Sequence, residues 1–519
     1  MHFILQLVFI IITMLFGTIN AYKLLVMSPL PFKSHSILGE AMVEHLTNAG
    51  HEVTYVTVFL PEKPIPRVNV VDLSDNIKLI PPGGISIQAV MDNKHEGMSF
   101  FESVPLIMNL SRNTIAHPNV QKLINDKNQQ FDAVIAEWMF NEVYSGFSGI
   151  FNCPLIWFST VEPHWMVLRL VDEVTNPAYS VDVASNSVPP LTFVQRVEEL
   201  GTQIVGRLTQ ALWVSGIENN LYDEYFVPVI EKRHSTAPSF ETLRFNASLL
   251  LSNSHVSMGV PAVLPANVIP IGGYHIKPNV KQLPEDLQKL MDNAKHGVIY
   301  FSMGSNLKSK QFPEVIKLDL LKMFGKLKQT VIWKFEEDLP NRPSNVHIVQ
   351  WAPQQSILAH KNCILFITHG GLLSTTETMH FGVPIIGIPV FADQFVNVAR
   401  AVKKGYAQKV DLSYSMAADI ELAINKLLDN PSYKTRVKEL SQIYHDRPVP
   451  PARELVHWVE HVVKTRGATH LRSPASMVAW YQKLYLDLVL VLVVLVLVLK
   501  RVYIFIKSIF IAKRKVKTN

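Results

Sequence analysis

The chain has 519 residues, 48% of them hydrophobic, and carries a formal net charge of +6. A chain of this length exceeds what one hydrophobic core supports, so we expect two globular domains with additional segments. Seven basic residues and no acidic residue follow Leu499, so the rest of the chain is close to neutral, and this balance excludes a nucleic-acid-binding surface.

Residues 1–21 have the composition of a secretory signal peptide. An apolar run from Leu7 to Ile12 is followed by small residues near Ala21. The start of the chain holds His2 but no Lys or Arg, so a short N-terminal anchor is the alternative. We predict cleavage before Tyr22 and therefore a mature chain in the secretory pathway.

The next segments alternate between strand and helix patterns. Tyr22 to Ser28 predicts a strand, and a loop containing His35 leads to a helix from about Ile37 to Asn48. His51 to Phe59 predicts the second strand, and Phe131 to Glu137 predicts another buried strand that ends in an acidic residue. This βαβ opening indicates a parallel, doubly wound sheet.

Residues 155–250 are apolar without a clear strand pattern. They predict long helices whose apolar residues either line a cleft or form ordinary core, namely Met166, Leu168, Leu170, Phe193, Leu200, Leu208, Leu212 and Trp213. Two sequons, which begin at Asn109 and Asn246, predict glycosylation.

Proline and glycine are concentrated in residues 261–285, as in a domain linker. A second α/β pattern begins with the strand Gly297 to Ser302 and a turn that contains Ser305. We therefore expect an N-terminal domain over 22–260 and a C-terminal domain over 286–470.

The stretch from Trp351 to Gln394 combines a strand, a glycine turn, a helix and a second strand. Ile364 to Thr368 predicts a buried strand, His369-Gly370-Gly371 forms the turn, and Leu372 to His380 predicts the helix. A glycine turn between a strand and a helix directs backbone N–H groups and a helix N-terminus toward a ligand, which suits a phosphate.

Side chains of the predicted helix fit a nucleotide. Gly370, Ser374 and Glu377 are spaced so that they share one helix face. A carboxylate about two turns from a bound pyrophosphate can accept hydrogen bonds from ribose hydroxyls.

The two ends of the stretch extend this interpretation. Trp351, with Gln354 after it, can stack on a base for roughly 1–3 kcal/mol. Asp393 and Gln394 follow the next strand, where a carboxylate and an amide can hold sugar hydroxyls. Base, ribose, phosphate and sugar contacts in this order predict a nucleotide-sugar site.

Other motifs are missing from the sequence. It contains no Asp-x-Asp and no Cys/His cluster with metal-ligand spacing, so we expect no metal. G-x-G-x-x-G is also absent, which disfavours NAD or FAD, and we expect no cofactor. Cys153 and Cys363 fall in different predicted domains, so we expect free thiols, although a disulfide that ties the domains together is the alternative.

The C-terminal region predicts a membrane anchor. Residues 484–506 are apolar and long enough to span a bilayer, and the tail, 507–519, is basic. The positive charges place the tail in the cytosol and the body in the lumen. Lys515 and Lys517 are similar to a dilysine-type retrieval signal of the endoplasmic reticulum, with a merely basic tail as the alternative.

Several of these segments together resemble membrane-bound animal UDP-glycosyltransferases of the invertebrate type. They are the stretch 351–394, the turn FSMGSN, the segment PIGGYHIKP, the stretch HDRPVPPARELVHWVEHV and the anchored basic tail. The resemblance implies an α/β fold of the GT-B type, in which two Rossmann-like domains face a cleft. The N-terminal domain would bind the acceptor and the C-terminal domain the UDP-sugar.

The resemblance also implies roles for single residues. His35 would be the catalytic base, and Glu137 its partner in place of the usual Asp, with a carboxylate that extends one methylene further. The UDP-sugar would be held by Ser305, Trp351, Gln354, His369, Gly371, Ser374, Glu377, Asp393 and Gln394.

The implied reaction is inverting transfer of a sugar from a UDP-sugar to a hydroxyl of a small lipophilic acceptor, which gives a β-glycoside for detoxification or metabolite conjugation. Glucose is the expected sugar, and UDP-glucuronate is the alternative donor. The implied location is the endoplasmic reticulum membrane, with the lipid bilayer as a partner and a homo-oligomer compatible with the sequence. A non-catalytic nucleotide-sugar-binding membrane protein is the other hypothesis, for which the departure at Glu137 is the only support in the sequence.

Overall fold

The computed structural model describes residues 21–80, 87–92, 100–171, 175–259 and 263–516. Up to Leu471 the chain forms one compact unit with two parallel sheets, and the residues from Arg472 onward form a second unit. Residues 1–20 of the predicted signal peptide and 517–519 of the predicted tail lie outside the described residues.

The first sheet has seven parallel strands in the order β3-β2-β1-β4-β5-β6-β7. Its strands are Lys23–Ser28 (β1), Glu52–Thr57 (β2), Val68–Asp72 (β3), Ala133–Trp138 (β4), Leu155–Ser159 (β5), Ala247–Ser252 (β6) and Val268–Pro270 (β7). Every residue of β4, β5 and β6 is buried, because both faces of the sheet are covered, and this accounts for their unbroken apolar runs.

The second sheet has six parallel strands in the order β10-β9-β8-β11-β12-β13. They are Val298–Ser302 (β8), Thr330–Lys334 (β9), Val346–Val349 (β10), Cys363–Thr368 (β11), Ile385–Gly387 (β12) and Ala407–Lys409 (β13). In both sheets the strand order reverses beside the first strand, which is where open α/β sheets place their ligands.

Helices cover both sheets. Those before the second sheet are Lys33–Asn48 (α1), Ile87–Met91 (α2), Phe100–Ala116 (α3), Pro118–Asn125 (α4), Gly146–Phe151 (α5), Trp165–Leu168 (α6), Phe193–Thr209 (α7), Ser215–Tyr225 (α8), Val227–His234 (α9), Phe240–Arg244 (α10) and Glu285–Asp292 (α11). Those after its first strand are Glu314–Gly325 (α12), Gln354–Ala359 (α13), Leu372–Phe381 (α14), Gln394–Lys403 (α15), Met416–Asp429 (α16), Ser432–His445 (α17) and Pro451–Lys464 (α18). A π-helical segment, Gln210–Val214, joins α7 to α8.

The compact unit has two halves, each built on one sheet, and each half packs against a helix from the part of the sequence that forms the other half. Ile87 and Met91 of α2 are buried in the core of the second sheet, although α2 precedes that sheet by some two hundred residues. Leu455 and Val459 of α18 are buried against the first sheet. The half built on the first sheet is therefore completed by α18, which follows the second sheet in the chain.

Two boundaries differ from those that the sequence predicts. Residues 268–270 of the predicted linker form β7, because the backbone there pairs with β6. Residues 451–464 of the predicted C-terminal domain form α18, whose apolar face packs on the first sheet. In addition, α1 begins at Lys33, so His35 lies in its first turn, where its backbone N–H donates to the carbonyl of Phe32 at 3.0 Å.

The apolar residues predicted to line a cleft or form core divide into two groups. Met166, Leu168 and Leu170 are buried in the core of the first sheet. In contrast, Phe193, Leu200, Leu208, Leu212 and Trp213 are exposed, so the prediction that they form core is wrong. The reason is that polar residues, Glu199 and Gln203, occupy the buried face of α7.

The second unit consists of a short turn, Trp480–Lys483 (α19), and a long helix, Leu486–Val516 (α20). Within α20, Leu486–Ile511 has a mean hydropathy of 2.8 over its most apolar window. At about 1.5 Å per residue this length exceeds the roughly 30 Å of a bilayer core, so by length and composition the helix can cross a membrane.

Other predicted features can be located on the described residues. Asn109 and Asn246 are both exposed, and glycosylation at them stays a prediction. Cys153 and Cys363 are free thiols, and burial raises the pKa of each to about 12.

Candidate active site

His35 and Glu137 lie together at the carboxyl edge of the first sheet. The Nδ1 atom of His35 is 2.5 Å from Oε1 of Glu137, and the Oγ of Ser28 donates to Oε2 at 3.0 Å. Glu137 is 1% exposed and His35 is 9% exposed. The longer carboxylate therefore reaches the imidazole, and with Nδ1 engaged, Nε2 is the nitrogen that can take a proton from a substrate.

The surroundings of this pair are tightly packed. A Cβ atom on Gly39 would lie 2.8 Å from Oγ of Ser28 and 2.6 Å from the hydroxyl of Tyr55, so α1 can sit this close to β1 only because residue 39 is glycine. Burial raises the pKa of Tyr55 and of Tyr274, and the charge of Glu137 raises both further. Glu137 is thus flanked by neutral phenols.

The predicted base-stacking residue is on the surface. Trp351 is 61% exposed and follows β10, at the carboxyl edge of the second sheet. The Nζ atom of Lys334 lies 5.7 Å from its ring centroid and donates to the carbonyl of Gly304 at 2.8 Å. An indole this exposed is available to a ligand, and Lys334 ties it to the turn after β8.

Gln354, Ser374 and Glu377 lie together in the structure. The Nε2 atom of Gln354 donates to Oε2 of Glu377 at 2.6 Å and to Oγ of Ser374 at 3.2 Å. Glu377 is 5% exposed, and its second oxygen accepts from Nε2 of Gln355 at 3.0 Å. The amides fix the carboxylate at one position.

His275 is a further residue of this cluster that sequence analysis missed. Its Nε2 lies 3.6 Å from Oε1 of Glu377, and its imidazole is buried. It comes from the segment after β7, more than one hundred residues before Glu377 in the chain. His275 belongs to the segment PIGGYHIKP, and the family resemblance of that segment was the only signal for it in the sequence. Gln355 is the residue after Gln354, and the sequence could have indicated it as a second amide beside Glu377.

Two glycine turns enclose His369. Gly304, after β8, has φ +83° and Gly370, after β11, has φ +82°, both in the left-handed region that favours glycine. A Cβ atom on Gly304 would lie 2.5 Å from Cε1 of His369, and one on Gly371 would lie 2.5 Å from its Nε2. Burial, together with the charge of Lys334, lowers the pKa of His369 to about 4, so the ring is neutral.

This arrangement can bind a diphosphate. The backbone of Gly371 is extended and α14 begins directly after it, with no acidic residue in the first turn. The orphan N–H groups of a helix N-terminus and its dipole favour an anion. Ser305 stands half-buried in the neighbouring turn.

Asp393 and Gln394 differ in how they are held. Asp393 is half-buried and accepts from Nδ2 of Asn397 at 2.9 Å, and burial raises its pKa to about 6. The Oε1 of Gln394 accepts from the backbone N–H groups of Val390 and Phe391 at 2.8 and 3.2 Å. The side-chain oxygen of Gln394 therefore stabilises the loop after β12. Its amide nitrogen is left to donate to a ligand.

A narrow cleft lies between the two halves, beside Asp393. Glu162 and His164, after β5, line it from one half, and Asp393, Asn397 and Arg400 of the loop and α15 line it from the other. Arg400 donates to Glu162 across the cleft. The sequence does not predict this ion pair, because Glu162 and Arg400 are far apart in the chain and neither lies in a motif.

Across the described ranges, no three His, Cys, Asp or Glu side chains stand close enough to hold a metal ion.

The chain is similar to known proteins over most of its length. Residues 85–519 match the family model described as "UDP-glucoronosyl and UDP-glucosyl transferase". It is 33% identical to UDP-glucosyltransferase 2 of Dactylopius coccus, over 93% of this chain and 92% of that protein. It is 28% identical to 2-hydroxyacylsphingosine 1-beta-galactosyltransferase of Rattus norvegicus, over 92% and 86%.

Solved structures show the same fold at low identity. A UDP-glucosyltransferase from Polygonum tinctorium aligns with a TM-score of 0.55 and 16% identity, over 86% of this chain and 99% of that one. The calicheamicin glycosyltransferase CalG4 aligns with a TM-score of 0.54 and 16% identity, over 86% and 99%. The two parallel sheets are thus the two Rossmann-like domains of a GT-B fold. With the match over residues 85–519, the chain belongs to the UDP-glycosyltransferase family.

Proposed function

We propose that the protein transfers glucose from UDP-glucose to a hydroxyl group of a small lipophilic acceptor and inverts the anomeric configuration. The family transfers a sugar from a UDP-sugar to an acceptor. The observation that carries the proposed transfer chemistry is the contact of 2.5 Å between His35 and Glu137 at the edge of the first sheet.

The chemistry follows from this pair. Nε2 of His35 takes the proton of the acceptor hydroxyl while the hydroxyl oxygen bonds to the anomeric carbon. The bond from that carbon to the UDP oxygen breaks, and UDP leaves with the electron pair. Glu137 orients the ring and stabilises the imidazolium that forms. A single displacement inverts the centre, so an α-linked donor gives a β-glycoside.

The leaving group needs stabilisation that the second sheet can supply without metal. UDP gains negative charge as it departs, and preorganised N–H donors at the start of α14 act where that charge develops. In this proposal Trp351 stacks on uracil with Gln354 beside it, and Glu377 holds the ribose. Ser305, His369 and Gly371 hold the diphosphate, Ser374 holds the amide of Gln354 in place, and Asp393 and Gln394 hold the sugar.

Glucose, rather than glucuronate, suits the charges beside Asp393. A sugar carboxylate needs a cationic partner. Among the described residues that line the cleft, Arg400 is the one Arg or Lys, and Glu162 already engages it. The Dactylopius coccus relative, named a UDP-glucosyltransferase, supports the same choice.

We expect a higher kcat/KM with UDP-glucose than with UDP-glucuronate. The measurement is turnover of both donors with one phenol, on membranes that contain the full-length protein. The His35→Ala variant is the matched control for background activity. Faster turnover of UDP-glucuronate would contradict the choice of donor but not the family reaction.

Glu137→Asp is expected to slow transfer rather than restore a more usual pair. Ser28 and His35 both bond to the carboxylate of the longer side chain, and Asp would withdraw that carboxylate from them by about one methylene. Glu137→Ala should slow transfer further, because the imidazole then loses its orienting partner. Single-turnover rates with a phenol test this order. An Asp variant faster than the parent would contradict it.

We also propose that the protein is a single-pass protein of the endoplasmic reticulum membrane, with a luminal body and a cytosolic tail, and that it serves detoxification or metabolite conjugation. The apolar helix Leu486–Ile511 and the basic residues that follow support this placement. A chain ended before Leu484 is expected to be secreted, because it lacks the anchor. Changing Lys515 and Lys517 to Ser in the full chain should let it leave the early secretory pathway. Retention of the truncated chain in carbonate-washed membranes would contradict the single anchor.

A further inference from the structure

Helix α7 and the π-helical segment after it carry their apolar residues on the outside. Eight apolar side chains are between 48% and 82% exposed, namely Phe193, Val194, Val197, Leu200, Ile204, Val205, Leu208 and Leu212. At 100° per residue they fall within an arc of about 140°. We call these eight residues the α7 face.

Polar contacts on the opposite side fix the helix in this rotation. Oε2 of Glu199 accepts from the backbone N–H of Asp182 at 2.8 Å, and Oε1 of Gln203 accepts from Oγ1 of Thr175 at 3.1 Å. Gly206 rests on the indole of Trp165, where a Cβ atom would lie 2.4 Å from Cζ2. Turning the helix to bury its apolar side would break these bonds, so the α7 face is a fixed part of the fold.

The α7 face is large and has a basic edge. Its side chains expose on the order of 800 Å² of apolar surface, above the few hundred Å² of the largest patch on a typical monomer. Arg196 and Arg207 border it on one side, with their guanidinium groups 5.8 Å from the ring of Phe193 and 5.6 Å from that of Trp165. Apolar residues bordered by arginines are typical of helices that lie in a membrane surface.

We propose that the α7 face lies in the surface of a lipid bilayer, with headgroup phosphates against Arg196 and Arg207. The chain itself carries a helix able to cross a membrane, Leu486–Ile511. A helix that anchors the chain in a membrane keeps the bilayer at high effective concentration near the rest of the protein. A second copy, in contrast, reaches the α7 face only by diffusion. The bilayer is therefore the occupant that we choose over a second copy.

The α7 face also indicates which acceptors the protein uses and how they reach the cleft. This inference rests on the proposed function. The buried side of α7 holds the backbone of Asp182, and Asp182 lines the cleft together with Asp393. Helix α7 and the segment that contains Asp182 therefore lie between the α7 face and the cleft. The acceptors assigned by this geometry are hydroxyl compounds that partition into the bilayer and reach the cleft along α7.

The first test measures contact with lipid and does not depend on activity. Full-length Ile204→Cys carries an environment-sensitive fluorophore and is placed in nanodiscs that hold one copy each, with nitroxide-labelled phospholipid. Thr202→Cys, exposed on the same helix but outside the α7 face, is the matched control. The labelled parent gives the background from Cys153 and Cys363.

We expect the nitroxide lipid to quench position 204 at least about fivefold more strongly than position 202. Equal quenching at both positions, or none at either, would overturn the proposal. A fluorophore shielded at 204 only when discs hold two copies would show that a second copy covers the α7 face, and would overturn it as well. Loss of glucosyl transfer has no bearing on this measurement.

The second test separates lipid-borne from aqueous acceptors. In the full chain, Val197, Leu200 and Ile204 are changed to Gln together. Exposed apolar residues of the other half, Val315, Leu318 and Leu422, are changed to Gln in the control. We expect the first variant to raise KM about tenfold for a bilayer-partitioned phenol, with kcat and the KM of a water-soluble phenol unchanged. An equal rise for both phenols, or no rise, would overturn the entry route.

Discussion

His35→Ala is expected to lower the rate of sugar transfer by roughly 10²–10⁴-fold, the usual effect of losing a positioned general base. No other described histidine contacts Glu137, whose carboxylate is bonded to His35 and Ser28. The affinity for UDP-glucose should not change, because the residues proposed to bind it belong to the second sheet. Single-turnover transfer to a phenol, with UDP binding by calorimetry, measures the two effects separately.

The matched control for this substitution is His45→Gln. His45 lies on the same helix, and its Nε2 contacts the carbonyl of Tyr274 at 2.8 Å, a bond that the amide of Gln can replace. That variant should keep the parent rate. Full transfer by His35→Ala would refute the role of His35, and a parent that transfers to no acceptor would favour a non-catalytic nucleotide-sugar-binding protein.

Gly304→Ala is expected to weaken the binding of UDP-glucose by at least about tenfold, which corresponds to 1.4 kcal/mol. Alanine at φ +83° is strained, and its Cβ would lie 2.5 Å from Cε1 and 2.8 Å from Nε2 of His369. The turn after β8 and the imidazole would have to separate, and both are proposed to contact the diphosphate. Calorimetry with UDP-glucose measures the loss.

Gly216→Ala is the matched control, because a Cβ there meets no atom within 4 Å and α8 accepts alanine. Its affinity for UDP-glucose should equal that of the parent. Thermal unfolding of both variants distinguishes a local change of the turn from loss of the fold. Unchanged affinity in Gly304→Ala would show that the contact with His369 does not shape the donor site.

Local patterns predicted much of the second sheet. The apolar run Cys363–Thr368, the glycine turn and α14 are specified by neighbouring residues, and the structure has them within one or two positions of the prediction. The pairing of His35 with Glu137, 102 residues apart, could be predicted only through the resemblance. Sequence periodicity identifies contacts along an element but not between elements.

Tertiary contacts explain what could not be predicted. Glu162 and Arg400 meet across 238 positions of the chain, and neither neighbourhood indicates the other. The period of α7 predicts an amphipathic helix, but the rule that apolar residues face inward gave the wrong side. The inward side is decided by Glu199 and Gln203, whose partners come from the loop before the helix.

The packing of α2 on the second sheet and of α18 on the first affects the design of chimeras between family members that use different acceptors. A chimera joined near residue 285 would combine the first sheet of one parent with α18 of the other, and would place α2 of the first parent in a foreign core. Both mismatches replace close-packed apolar contacts, which tolerate changes in volume poorly. A hybrid that transplants acceptor choice should therefore carry residues 451–471 with its N-terminal half and keep 87–91 from the parent that supplies the second sheet.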